Sequence, residues 1–355
     1  MNDMALFTGA YTNPLAFSPD TTMQAAMDTT QAALTLAGSP NVNNLAMTVV
    51  MITGSEGTFD HPWAGLRVHE THYAASMVKI AALYAAFDMR SSADILVTSL
   101  GLTAWPDMEA ALVANFNPEI DAHNPAQITG SPLLRPEDKS RKPNYAAMLQ
   151  PGSGGVFAVD FTAAQLAAFE DFVVQQHDPG AGTTIHNLGY PYLNGKIADD
   201  GFFDGTDGLW LAGDYVHTWP AARIACVNDV DTAQGTTTFQ FASLMTLLAD
   251  EVLVGPTSSR EMKEKMGRAG KFFPQTVPPL WPVGGRFKAT HGKVGIGPLK
   301  SGKTVFSEAV IAVDTLRDLE FVAVWENVGQ NGQTQRQLFE PVALLMEAAI
   351  TGFVP

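Results

Sequence analysis

The run Tyr73-Ala-Ala-Ser-Met-Val-Lys-Ile-Ala-Ala-Leu-Tyr-Ala-Ala-Phe87 is the most apolar helical stretch of the chain, and it carries a lysine. On a helix, Ser76 and Lys79 stand three residues apart, so they share one face within contact distance. The flanking Ala, Ile, Leu and Phe side chains disfavour a charged Lys79, because desolvation penalises an ammonium. A neutral amine beside a hydroxyl can take its proton, which makes a serine nucleophile without a histidine. The plainer reading is a serine in a core helix with Lys79 reaching solvent along its methylene stem. The apolar flanks on every side of Lys79 favour the nucleophile.

At 355 residues the chain has room for one large domain or two lobes. A hydrophobic content of 46% and a charged content of 16% suit a well-buried globular enzyme. The net charge of −15 argues against a nucleic-acid partner, which needs clustered Lys and Arg, and reads as a solvated surface. The single cysteine, Cys226, excludes an internal disulfide framework and a Cys-based zinc site; a buried small hydrophobe is its simplest role. His69-Glu-Thr-His72 lacks the spacing of a helical zinc site, so no metal and no cofactor is expected. The segment Met1 to Gly9 has neither a basic leader nor a continuous apolar run, and no window reads as a membrane span. The expectation is a cytoplasmic protein, or a periplasmic or secreted one if a leader has been removed.

Residues Thr22 to Leu36 read as an amphipathic helix, Leu45 to Thr53 as a buried strand ending at Gly54, and Leu66 to His72 as a second strand. From about 92 to 265 helical periodicity is broken by loops; Ala163–Gln175 and Phe239–Val254 are its clearest helices. Asn117 to Gly155 holds six prolines and reads as a long surface excursion, with Glu137 to Lys142 a solvated charge cluster. Strand character returns at Gly285–Gly295, Val305–Val313 and Leu319–Trp325, and Leu338–Ile350 closes the chain as an apolar helix. Short connections between those strands imply antiparallel pairing. The expected architecture is α+β: an antiparallel sheet sandwiched by N- and C-terminal helices, beside an all-α lobe. Residues 1–91 and 270–355 form the discontinuous α/β lobe and 92–269 the inserted helical one, with a cleft between them.

That order, with Ser76-Met-Val-Lys79 and Lys293-Val-Gly295, resembles the serine β-lactamase and penicillin-binding transpeptidase superfamily, marked by S-x-x-K, S-x-N or Y-x-N, and K-T-G. Gly285–Gly297 resembles the strand bordering the active site, and Thr236–Met245 the helix after the active-site loop region of class A-like members. The resemblance implies a serine hydrolase or acyltransferase acting on an ester, amide or lactam carbonyl. Ser76 would be the nucleophile and Lys79 the general base. Backbone N–H groups of Ser76 and Ile296 would form the oxyanion hole, such donors being worth roughly 3 kcal/mol each. Lys293 would help keep Lys79 neutral and attract an anionic, small-molecule or peptide-like acyl substrate.

Two motifs depart from the family. The middle one falls on Gln176-His177-Asp178, where Gln176 cannot shuttle a proton and Asp178 is a carboxylate in place of an amide; Tyr215-Val216-His217 is a second candidate, and a plain helix end before Pro179-Gly180 a third reading. Val294 replaces the Thr or Ser whose hydroxyl helps hold a substrate carboxylate. No E-x-x-L-N loop is present, and Asp229 and Asp231 in that region carry no mark of a base, so fast β-lactam hydrolysis is not expected. These departures also fit a non-catalytic binding protein that kept the cleft.

His291 lies two residues before Lys293, on the same strand face toward the cleft, while Trp210, Tyr215 and Trp219 are pocket or core aromatics. Gly297-Pro-Leu-Lys-Ser-Gly-Lys-Thr304 fits the P-loop pattern, but the next residues read as a strand rather than a helix, so a turn between antiparallel strands is the better account.

Overall fold

The computed structural model describes residues 6–7, 16–53, 60–272, 286–330 and 332–354. Most of the Met1–Gly9 segment, and the strand ends expected at Gly54 and Gly285, lie outside the described residues. Six strands form the main sheet: β1 (Ala16–Pro19), β2 (Ala46–Met51), β3 (Asp60–Leu66), β4 (Phe287–Pro298), β5 (Thr304–Asp314) and β6 (Leu319–Gln330). Their order is β1-β3-β2-β6-β5-β4, antiparallel except for the β1–β3 pair. The helices that position this sheet are α1 (Thr21–Leu36), α2 (Lys79–Leu100), α3 (Thr238–Ala249), α4 (Pro256–Arg268) and α5 (Gln335–Gly352).

Side-chain alternation divides the sheet into two apolar faces. Met47, Val49, Val310, Ala312, Phe321 and Ala323 meet α1 and α5 on one side. Val50, Ala309, Ile311, Val322 and Val324 belong to the larger core that includes α2 and α3 on the other. The outer helices are set by their starts: Asp20 Oδ1 accepts from the Thr22 and Met23 amides at 2.8 and 2.9 Å, and Thr334 with Gln337 forms a capping box. Helix α3, although inside the 92–269 span, packs on β2 and β6 rather than away from the sheet.

Several local expectations need correction. The second strand is Asp60–Leu66, not Leu66–His72, because Arg67 turns the chain at φ +51° while its guanidinium bonds the Leu45 and Val42 carbonyls. Asn117–Gly155 is not a surface excursion: Ile120, Ile128, Leu134, Tyr145 and Met148 are buried in the core. Nor is 137–142 merely solvated, since Asp138 is buried and accepts from Arg135 at 2.7 and 3.0 Å. Residues 299–303 are a hairpin turn between β4 and β5, with Pro298 opposite Thr304, and no helix follows; the P-loop reading is excluded. Among the described residues, no helix is long and apolar enough to cross a membrane, and no group of three or more His, Cys, Asp or Glu could hold a metal ion.

The end of β5 is tied to the end of α5 through charge. Asp314 takes Arg286 Nε and Nη2 at 3.0 and 2.8 Å and Arg317 Nε at 2.8 Å, while Arg317 also bonds the Phe353 carbonyl at 3.0 Å. Burial opposes ionisation of Asp314, but the two arginines overcome it and hold the carboxyl at about 2, below the ordinary 3.8. The folded state therefore binds fewer protons than the unfolded one between those values, and the contribution is complete above about pH 4 and fades as pH falls toward 2. Asp314→Asn is expected to cost about 2 kcal/mol near neutrality and almost nothing near pH 2. Urea melts across that range check it; a pH-independent cost would contradict the assignment.

Candidate active site

The short strand His72–Tyr73 pairs with Gln234–Thr236 and leads into a 3-10 turn, Ala75–Val78, which delivers Ser76 and passes into α2 at Lys79. Ser76 is thus on a tight turn before the helix rather than within it, and it is half-buried. Ala75 sits at φ +51°, a left-handed conformation that costs a non-glycine residue about 1–2 kcal/mol. Three elements hold the turn against that strain. Ser307 Oγ of β5 donates to the Ala74 carbonyl at 2.6 Å, Tyr215 Oη to the Ala75 carbonyl at 3.1 Å, and the Ala74 amide to Gln234 at 3.0 Å. Beneath it runs β4, where a Cβ on Gly295 would collide with the Ala74 carbonyl and Ser307 Oγ and stand 2.9 Å from the Met77 amide.

Two lysines converge here, and both are fully buried. Lys79 Nζ donates to Asp178 Oδ1 at 2.6 Å and to the His177 carbonyl at 3.0 Å, and it lies 4.6 Å from the centre of the Tyr215 ring. Burial pushes its pKa below the ordinary lysine value, and Asp178 pulls it back. Among the described residues no hydrogen bond joins Lys79 to Ser76, and Lys79 is paired with Asp178. Lys293 Nζ donates to the Val294 carbonyl at 2.9 Å; burial, with the nearby Lys79 charge, lowers its pKa to about 7.

The other expected residues divide into those at the turn and those away from it. Asp178 is brought to Lys79 with its side chain 54% exposed, and Gln176, at φ +64°, turns aside to bond the Gly270 carbonyl at 2.9 Å. Lys293 and Gly295 share one face of β4 by alternation; Val294 is buried, and Ile296 is half-exposed on an edge strand whose alternate N–H groups lack ladder partners. His291 keeps the face of Lys293, since the only irregularity nearby is a bulge before it, between Ala289 and His291; the imidazole packs at Gly267 of α4 with Nδ1 2.8 Å from Thr290 Oγ1. Burial, then Lys263 and Lys271, push it down to about 4.

Tyr215 is half-buried in a loop that Asp214 organises. The Asp214 carboxylate accepts from the amides of His217 and Thr218, both at 2.8 Å, and of Trp219 at 2.9 Å, and His186 Nε2 lies 3.0 Å away. Tyr215 itself is at φ +62°. Asp229 and Asp231, the carboxylates noted in the sequence for this region, instead bind Lys300 on the β4–β5 turn. Sequence reasoning missed Ser307, Asp214 and Tyr73, whose hydroxyl a Cβ at Gly297 would strike. The legible signal was the Gly295-Ile-Gly297 alternation, since glycines on one strand face mark close approach of another backbone or ring.

No family model and no curated protein matches this sequence. Solved structures do match in fold. A class A β-lactamase from Bacteroides cellulosilyticus superposes with TM-score 0.54 at 10% identity, over 93% of this chain and 99% of that one. TLA-3 extended-spectrum β-lactamase gives 0.52 at 10% identity, over 91% and 98%. PBP-A gives 0.50 at 15% identity, over 96% and 100%. Sheet order, flanking helices and near-complete mutual coverage agree: this chain has the serine β-lactamase/penicillin-binding protein fold.

Proposed function

We propose that the protein is a serine hydrolase or acyltransferase that forms an acyl-enzyme on Ser76 from an ester, amide or lactam. One observation carries the reading: a strained, half-buried Ser76 turn is pinned from three elements beside two buried lysine amines. The like-folded structures are β-lactamases and PBP-A, which supports an enzyme of this fold. Ser76 Oγ attacks the carbonyl carbon, the lysine pair handles its proton, and the backbone N–H groups of Ser76 and Ile296 receive the oxyanion. Water or a second nucleophile then releases the acyl group. With a carboxylate at Asp178 and no hydroxyl at Val294, an ester, amide or transacylation substrate fits better than a β-lactam hydrolysed quickly.

The second reading, a binding protein that has lost its chemistry, is favoured by the Lys79–Asp178 pair, which ties up the amine expected to act on Ser76. Intact-mass spectrometry after exposure to a fluorophosphonate and a penicillin panel separates the two. The hydrolase gains one adduct that Ser76→Ala abolishes, and absence of an adduct with every probe favours the binding protein.

A further inference from the structure

We infer that Lys293, rather than Lys79, accepts the Ser76 proton, and that Asp178 holds Lys79 as a fixed cation beside the reacting oxygen. This rests on Ser76 being the nucleophile. A lysine nitrogen has three directions besides its carbon bond. At Lys79 one meets a carboxylate at 2.6 Å and one a carbonyl at 3.0 Å, while the nitrogen also lies over an aromatic face at 4.6 Å. All three partners are electron-rich and reward an N–H, so a lone pair turned toward any of them is repelled.

Lys293 is placed differently. Among the described residues its nitrogen has one hydrogen-bond acceptor, the neutral Val294 carbonyl, and the side chain is fully buried. Asp178 is hydrogen-bonded to Lys79. Two ammonium groups sharing one buried site and one bonded carboxylate is the unfavourable state, and the proton that leaves is the one without a carboxylate hydrogen bond. The charges of Asp178 and of the buried Glu308, which accepts from the Phe272 amide at 2.7 Å, favour a protonated Lys293, but burial and the Lys79 charge outweigh them. Lys293 also lies on the face of β4 that packs, through Gly295, against Ala74 and Met77 on either side of Ser76.

In the acylation step the Ser76 hydroxyl proton passes to the Lys293 lone pair, directly or across one bound water, as Oγ bonds the carbonyl carbon. When the tetrahedral adduct collapses, the bond from carbon to the leaving group breaks and the Lys293 ammonium returns that proton to the leaving group. Lys79 keeps its protons throughout and stabilises the oxyanionic Oγ electrostatically.

Arginine substitution tests the division of labour, because a guanidinium keeps the charge but cannot give up a proton. Ser76 phosphonylation rates by intact mass, measured from pH 5 to 9, are expected to stay within about tenfold in Lys79→Arg and to fall at least about 100-fold in Lys293→Arg. The wild-type rate is expected to fall as pH drops below about 7. Should Lys293→Arg fail to fold by thermal melt, Lys293→Ala is used instead: added propylamine restores labelling in proportion to its free-base concentration. Retained labelling in Lys293→Arg, a 100-fold loss in Lys79→Arg, or no amine rescue overturns the assignment. Wild-type protein that no probe labels overturns the acyl-enzyme reading itself, a distinct outcome.

Discussion

Replacing Gly295 with valine is expected to abolish acylation of Ser76 while leaving most of the protein folded. A Cβ there meets backbone atoms, the Ala74 carbonyl and the Met77 amide, which cannot rotate away as a flexible side chain could. Strand β4 must therefore back off the Ser76 turn, carrying the Ile296 N–H and Lys293 with it. Losing one aligned oxyanion donor alone costs about 100- to 1000-fold in rate. Overpacking of this kind costs about 1–3 kcal/mol in stability, and β4 is an edge strand, so the rest of the sheet remains paired. Fluorophosphonate labelling with a parallel urea melt checks both numbers. Labelling at the wild-type rate would show that β4 plays no part in the site.

The largest stability effect is expected at Arg90, far from Ser76 along α2. Its side chain is 2% exposed, yet it bonds Glu261 at 2.8 and 3.2 Å and Ser258 at 3.0 Å, joining α2 to α4. Its guanidinium carbon lies 4.2 Å from the Phe157 ring centre and 4.8 Å from those of Phe87 and Phe161. Arg90→Ala removes the ion pair, the ring contacts and the volume together, and about 3 kcal/mol or more is expected to be lost. Arg90→Met keeps volume and apolar contact and is expected to lose clearly less. Equal losses in the two variants would mean that charge, not packing, holds this helix pair; a loss under 1 kcal/mol in Arg90→Ala would remove the account altogether.

Much of the fold was readable in the residues. The strands between 287 and 330 alternate so that one set of side chains meets α1 and α5 and the other the interior, and their short connections allow only antiparallel pairing. The helices beginning near Thr22 and ending near Ile350 show the same amphipathic logic. Local reading failed where a distant partner overrode a local pattern. Arg67 ends a strand by bonding carbonyls more than twenty residues away, and prolines did not stop 117–155 from supplying buried side chains.

What the sequence determined by itself was the pairing of residue types: a serine and a lysine three apart in an apolar run, and a second lysine two residues before a glycine on a strand. Periodicity and side-chain chemistry are local properties, so they survive translation from one dimension. Only the tertiary structure decided which charged and polar groups stand beside those residues. Asp178 meets Lys79 across 99 positions of chain, and Tyr215 reaches Ala75 across 140. A carboxylate 2.6 Å away opposes what an apolar neighbourhood does to a lysine, and no count of neighbouring alanines reports that distance.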